Sequence, residues 1–193
     1  MAYTTIDDPS AHFQTTLYTG SGSAQDITND GNSDLQPDMV WIKARTTTNG
    51  VPHLSDSSRG VSSSSGKYLR TDATSAEGDD ANGIRAFNSD GFKTGDGWFN
   101  GASSYTYVAW QWKANGGTTS SNTDGDLTST VQFNSTAKFS IVLYTGKNPI
   151  EPLDIGHGMG EVPDVFWIKN RDRAANWGVY HKELTSPAEN RNL

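Results

Sequence analysis

The chain repeats itself, and the repeat limits how it can fold. Phe13-Gln14-Thr15-Thr16-Leu17-Tyr18-Thr19-Gly20 returns as Phe139-Ser140-Ile141-Val142-Leu143-Tyr144-Thr145-Gly146, with five of eight positions identical. Leu35-Gln36-Pro37-Asp38-Met39-Val40-Trp41-Ile42-Lys43-Ala44-Arg45 returns as Glu161-Val162-Pro163-Asp164-Val165-Phe166-Trp167-Ile168-Lys169-Asn170-Arg171, with Pro, Asp, Trp, Ile, Lys and Arg in the same places. Both pairs of blocks are displaced by 126 positions, and Ser10-Ala11-His12 aligns with Thr136-Ala137-Lys138 at the same offset. Such self-similarity marks one structural unit used twice.

At this offset Leu193 corresponds to Lys67, whereas the first copy runs on to Lys113. The expected organisation is a first unit over 1–113, a flexible linker over 114–126 and an incomplete second unit over 127–193. The linker carries Gly116-Gly117-Thr118-Thr119-Ser120-Ser121-Asn122-Thr123-Asp124-Gly125-Asp126 and no large side chain. A half-unit leaves apolar faces and strand edges without partners. Further sequence beyond Leu193 is the preferred expectation for what completes it, with a partner subunit as the alternative.

The repeated blocks read as strands. Phe139 to Tyr144 is dominated by β-branched and aromatic residues and closes on Thr-Gly. Met39 to Lys43 follows Pro37-Asp38, a turn-initiating pair. In Tyr105 to Trp112 one face would carry Thr106, Val108, Trp110 and Trp112, the other Tyr105, Tyr107, Ala109 and Gln111. Two half-apolar faces suit a central strand. Asn88-Ser89-Asp90-Gly91-Phe92 and Asn29-Asp30-Gly31 are hairpin-type turn signals. No stretch has a convincing helical period, although Ala73 to Ala86 could hold a turn or two. The fold class expected is all-β, an antiparallel β-sandwich of jelly-roll or lectin-like type.

Composition narrows the function. Charged residues are 19% of the chain, and the net charge of −7 argues against nucleic-acid binding, which needs a basic face. No apolar run approaches the roughly 18–20 residues that span a membrane. Met1 to Pro9 has no basic or apolar signal region, and there are no cysteines. Synthesis in a cytoplasm and stability from packing alone are the expectations.

The search for chemistry returns little. Gly60 to Tyr68 has the wrong spacing for a phosphate loop, with Tyr68 where a hydroxyl should bind magnesium. The hydrolase elbow Gly-x-Ser-x-Gly is absent. The histidines at 12, 53, 157 and 181 lack metal-ligand spacing, and His157 lies in a glycine-rich turn. Asp7-Asp8 and Asp79-Asp80 read as solvated turns rather than an acid–base pair. Asn122 to Asp126 has oxygen donors but not a full calcium loop. No catalytic residue, metal or cofactor is expected.

Among the aromatics, Trp41 and Trp167 are repeat-equivalent and expected in the core, as is Trp177. Trp98 differs, lying among loop-formers in Gly95-Asp96-Gly97-Trp98-Phe99-Asn100-Gly101. It could stack on a sugar ring while Asp96 and Asn100 take hydroxyls, or fold back as a cap on the sandwich. Lys43, Arg45, Lys169 and Arg171 recur at equivalent strand ends and are expected to pair with acidic loops.

Tyr-Thr-Gly, then Pro-Asp-(Met/Val)-(Val/Phe)-Trp-Ile-Lys-x-Arg, Ser58-Arg59-Gly60, Asp90-Gly91-Phe92 and Tyr107 to Lys113 follow one another in order. This series resembles a repeated domain of marine bacteriophage tail-fibre-like and virion surface proteins. Gly156-His157-Gly158-Met159-Gly160 before Pro163-Asp164 is similar to that family's His-Gly-Leu-Gly and Pro turn. The resemblance implies a lectin-like β-sandwich attached to the virion, with no catalytic residues to transfer. The expectation is a homotrimeric tail fibre or similar appendage, in contact with other virion tail or capsid proteins and with host surface glycans. A purely architectural capsid decoration or tail adaptor is the alternative. A glycan-degrading enzyme is a third reading, and neither nucleic-acid binding nor membrane insertion is expected.

Overall fold

The computed structural model describes residues 6–47, 50–61, 65–97, 100, 104–147 and 152–184. Within them the chain is all-β, with a short 3₁₀ turn at Pro9–Ala11. The strands in chain order are β1 (Phe13–Thr19), β2 (Gln25–Ile27), β3 (Met39–Ala44), β4 (His53–Asp56), β5 (Gly66–Arg70), β6 (Gly78–Asp80) and β7 (Ile84–Asn88). They continue as β8 (Gly91–Thr94), β9 (Thr106–Trp112), β10 (Ser120–Asn122), β11 (Ser129–Asn134), β12 (Phe139–Tyr144), β13 (Val165–Ile168) and β14 (Gly178–His181).

Strand β9 is central, as its alternation predicts. One edge pairs antiparallel with β1 (Phe13 opposite Trp112) and the other with β3 (Trp41 opposite Trp110). The resulting sheet has the order β1-β9-β3-β4-β5-β6, and a second sheet has the order β2-β8-β7. Val40, Ile42, Ala44, Tyr107 and Ala109 from the large sheet meet Ile27, Ile84 and Phe92 from the small one in a single buried cluster. Two sheets closing over one apolar layer are the arrangement of a β-sandwich.

The opposite face of β9 is apolar too. Around Met39 and Leu54, a second cluster draws in Trp41 and Trp112 from the first copy with Phe139, Ile141 and Trp177 from the second. Trp112 stacks on Phe139 with ring centroids 6.3 Å apart. The second copy therefore covers the outer face of the six-stranded sheet.

Turn chemistry divides the two hairpin signals. Asn88 pairs with Gly91 across Ser89-Asp90, joining β7 to β8. Gly91 has φ +103°, and a Cβ there would lie 2.0 Å from the Ile27 carbonyl oxygen, so glycine is required. Asn29-Asp30-Gly31 forms no hairpin. The Asn29 side chain turns inward, accepts from the Thr16 hydroxyl (2.9 Å) and the Gln111 amide (2.5 Å), and donates to the Leu35 carbonyl (3.2 Å). The stretch from Ala73 to Ala86 holds β6 and the start of β7 instead of a helical turn.

The segment expected to be a flexible linker is tied down. Asp38 is fully buried, and its carboxylate accepts from the backbone N–H groups of Ala114 (2.7 Å), Gly116 (2.9 Å) and Gly117 (2.6 Å), and from the Ser57 hydroxyl (2.8 Å). A buried carboxylate needs such donors to offset its lost hydration. Strand β10 also falls inside this segment and pairs with β11.

The repeat is visible in three dimensions, since β12, β13 and β14 are the copies of β1, β3 and β4. Met39 pairs with Asp56, and its equivalent Val165 pairs with His181, one residue short of the position 126 beyond Asp56. The second hairpin connection is therefore one residue shorter. Trp167 departs from the core placement expected of it and is 44% exposed. In the first copy β9 lies along β3 and the β2-β8-β7 sheet covers its face; among the described residues β13 has β14 alone as a strand neighbour.

Burial also creates a titration. His53 is 3% exposed and lies against the Tyr68 ring, centroids 4.2 Å apart. Burial first, then the charge of Arg70, lowers its pKa to about 4 against a small opposite pull from Asp72. An unfolded histidine takes its proton near 6.5, so below that pH the unfolded state binds more protons and stability falls until about 4. Urea denaturation should show a loss of about 1 kcal/mol between pH 7.5 and 5.5 from this group, and His53→Gln should remove that component.

Candidate functional site

Of the three residues expected to take a ligand, Trp98 lies outside the described residues. Asp96 is exposed at a turn whose flanks, Gly95 and Gly97, donate to the carbonyls of Gly83 (2.7 Å) and Asn82 (3.2 Å). Asn100 is fully buried. Its Oδ1 accepts from the Ser21 N–H (2.9 Å), while its Nδ2 donates to the Ser21 hydroxyl (3.1 Å) and the Ser23 carbonyl. These bonds fasten Ser21–Ser23 to the sandwich and leave the amide no face for a sugar hydroxyl.

The acidic motifs also have structural partners. Asp8 accepts from the Ser10 N–H (2.9 Å), the Ser10 hydroxyl (2.5 Å) and the Ser33 hydroxyl (2.6 Å), and the hydroxyl bonds of Ser10 and Ser33 lower its pKa. Asp79 pairs with Lys67 at 3.0 Å, and Asp80 accepts from the Asn82 N–H at 2.8 Å. Asn122 and Asp124 bond to each other, and Asp126 accepts from the Asp154 N–H. Among the described residues no group of three His, Asp or Glu side chains could hold a metal ion. The glycine-rich turn at His157 lines a shallow open cleft of about 380 Å³ with Asp124, Asp154 and Glu161. Glu161 is held there by Lys138 at 2.7 Å.

The densest electrostatics join the two copies. Arg59 has only 2% of its side chain exposed, and its Nε lies 2.5 Å from Asp56. Its Nη1 reaches Glu77 at 3.2 Å, and its Nη2 donates to the Leu54 carbonyl at 2.8 Å. Glu77 in turn receives Nε and Nη2 of Arg171 from the second copy, both at 2.8 Å. Burial raises the Glu77 pKa, but bonds and charge from Arg171 and Arg59 outweigh it and hold the carboxyl below its ordinary value.

Backbone bonds reinforce the seam, Glu77 N–H to the Arg171 carbonyl (2.9 Å) and Ala175 N–H to the Thr74 carbonyl (2.8 Å). The Trp177 indole donates to the Arg70 carbonyl at 2.9 Å, and Trp167 meets Trp41 edge-on, centroids 5.9 Å apart. Arg171 thus pairs with an acidic loop as its position predicts. Lys43 and Lys169 instead donate to carbonyls, of Gly50 (2.7 Å) and of Thr74 (3.3 Å) and Asn170 (2.9 Å). Asp56, Glu77 and the capture of Asp38 carry no motif in the sequence around them. Ser58-Arg59-Gly60 was visible, but nothing local announces a carboxylate 18 residues away.

One surface stands out once the copies are compared. Met39, Val40 and Ile42 are 7%, 0% and 1% exposed, while their equivalents Val165, Phe166 and Ile168 are 43%, 40% and 43% exposed. Asp38 is buried, whereas the Asp164 side chain is 68% exposed and pairs with Lys182 at 2.9 Å. Apolar strand residues exposed together make this a candidate contact surface.

The domain of unknown function DUF7483 matches residues 8–193, in a span that runs through both copies of the repeat, so the chain belongs to that family. No curated protein and no solved structure matches it.

Removing Glu77 would leave the buried Arg59 guanidinium with Asp56 as its carboxylate partner and one N–H group unsatisfied. Glu77→Ala should cost about 2–3 kcal/mol in chemical denaturation, because a buried charged donor loses its acceptor. Arg171→Ala, at a side chain 40% exposed, should cost about 1 kcal/mol or less. Equal losses in the two variants would contradict this division.

Proposed function

We propose that this chain is a structural component of a bacteriophage virion, a tail fibre or similar appendage that acts by contact and not by catalysis. The observation that carries the reading is the exposed strand β13, whose sequence is buried in the first copy and presented in the second. Apolar strand residues grouped on one exposed surface are a place where other chains can be joined. The all-β sandwich, its acidic balance and the series of motifs from Tyr18 to Lys113 support the same reading. The subunits assemble as homotrimers, with the aromatic face of the second copy at or near their contacts.

Host attachment through surface glycans rests on the loop around Asp96. With Asn100 spent on Ser21 and Ser23, that loop supplies fewer hydroxyl-binding groups than its sequence suggests. The same exposed strand favours a second reading, an architectural tail adaptor or capsid decoration, since such a protein buries its aromatics against its neighbours.

Light scattering coupled to size exclusion separates the two. A three-chain mass at micromolar concentration is the expected result for a fibre segment. A single-chain mass would remove the intrinsic trimer and leave the adaptor, whose partners are other proteins.

A further inference from the structure

The copies also meet where the turn before β1 touches the hairpin of β11 and β12. His12 follows the 3₁₀ turn at Pro9–Ala11, and its Nδ1 lies 3.0 Å from the Nδ2 of Asn134. Either ring nitrogen of a neutral imidazole can carry the proton, so the partner decides the roles in such a pair.

Asn134 decides them here. Its Oδ1 accepts from the backbone N–H groups of Thr136 (3.1 Å) and Ala137 (3.0 Å), and its Nδ2 donates to the Lys113 carbonyl (3.3 Å). Turning the amide over would set its nitrogen against two N–H donors and its oxygen against a carbonyl. Nδ2 is therefore the donor, and His12 Nδ1 is an unprotonated acceptor with the ring proton on Nε2. A proton added at Nδ1 would set donor against donor.

The other ties between the copies lack this sensitivity. The Gln132 amide donates to the Ser57 and Ser58 hydroxyls, both at 2.9 Å, and none of these groups changes charge near neutral pH. Glu77, its carboxyl held below its ordinary value, stays charged opposite Arg171. Three elements bring charged residues to His12. From the turn before it comes Asp8, whose pKa falls first through the Ser10 and Ser33 hydroxyls and lastly through charge on His12. From the end of β9, Lys113 meets it with a backbone N–H, 2.9 Å from the His12 carbonyl. On the hairpin, Lys138 is taken by Glu161 at 2.7 Å. A charged His12 thus has Asp8 as a partner inside its own copy. Lys138 is also its repeat-equivalent, so the second copy has a fixed charge where the first has a titratable one.

We propose that His12 is a proton-operated latch between the copies. Neutral, it accepts from Asn134 and holds the β11–β12 hairpin to the first copy; protonated, it releases Asn134 and turns to Asp8. The latched form needs the neutral ring and so binds fewer protons than the released form. The latch is therefore closed at neutral pH and opens in mild acid, where imidazoles take up a proton. Gln132, Arg171 and Trp177 keep the copies together, so the release is local to the hairpin end. The device follows from contacts within the chain and stands apart from the assignment to a virion.

Solution NMR of the intact chain tests the latch. At neutral pH the His12 ring nitrogens should report the Nε2–H tautomer. Exchange of the Asn134 side-chain amide with water, relative to its rate in an unstructured peptide, should rise about threefold to tenfold between about pH 7.5 and about pH 5.5, as the loss of one hydrogen bond requires. His12→Asn sets an oxygen acceptor near the place of Nδ1 that takes no proton, and it should abolish the rise. That variant should fold, as His12 is only half-buried. An Nδ1–H tautomer at neutral pH overturns the proposal. So does an amide equally protected at both pH values in the parent chain, and so does a rise of the same size in His12→Asn, which would assign the titration to another group.

Discussion

The pairing of β9 with β1 on one side and β3 on the other is the constraint on which the first unit depends. It joins Phe13–Thr19, Met39–Ala44 and Thr106–Trp112, segments far apart in the chain, in one ladder. Closing such loops costs entropy before any contact repays it. The repayment comes from both faces of β9 at once. Tyr107 and Ala109 enter the layer against Ile27, Ile84 and Phe92, while Trp112 enters the layer against Phe139. A strand with one polar face would have left the second copy nothing to pack on.

Polar groups fix what the apolar layers only bring together. Gln111 sits on the buried side of β9 and reaches Thr16 and Asn29, so the loop that follows β2 is tied to the large sheet. Asp38 does the same where β9 ends, drawing the following glycines over itself. Arg59, Asp56, Glu77 and Arg171 do it between copies. Breaking a buried pair costs more than the pair contributes over a hydrophobic replacement, so such a network selects one docking arrangement more than it adds stability.

Much of this was legible in the residues. The alternation of Tyr105 to Trp112 gave the central strand and both faces, and Asn88 to Phe92 gave a hairpin, because periodicity and turn chemistry are local properties. Asn29-Asp30-Gly31 misled, since the same residues that make a turn also make good buried hydrogen-bond partners, and Gln111 and Thr16 claimed Asn29. The segment 114–126 misled for the same reason. Glycines that permit flexibility also expose backbone N–H groups, and a distant carboxylate used them. In the candidate ligand loop the local sequence offers Asn100 to a sugar hydroxyl or to a folded-back cap, and Ser21 and Ser23 take its amide. Partners far away in sequence leave no local trace.

The two copies of Trp-Ile-Lys supply the sharpest case, because local sequence is held nearly constant while burial changes. Trp41 is half-buried among its neighbours on the sheet, and Trp167 is 44% exposed in a hairpin of the same kind. Propensity and alternation give both segments the strand state, and both adopt it. What they cannot give is the cover, which arrives from elsewhere in the chain for β3. Sequence pattern therefore reports the surface a strand prepares for burial, not whether that surface has been buried.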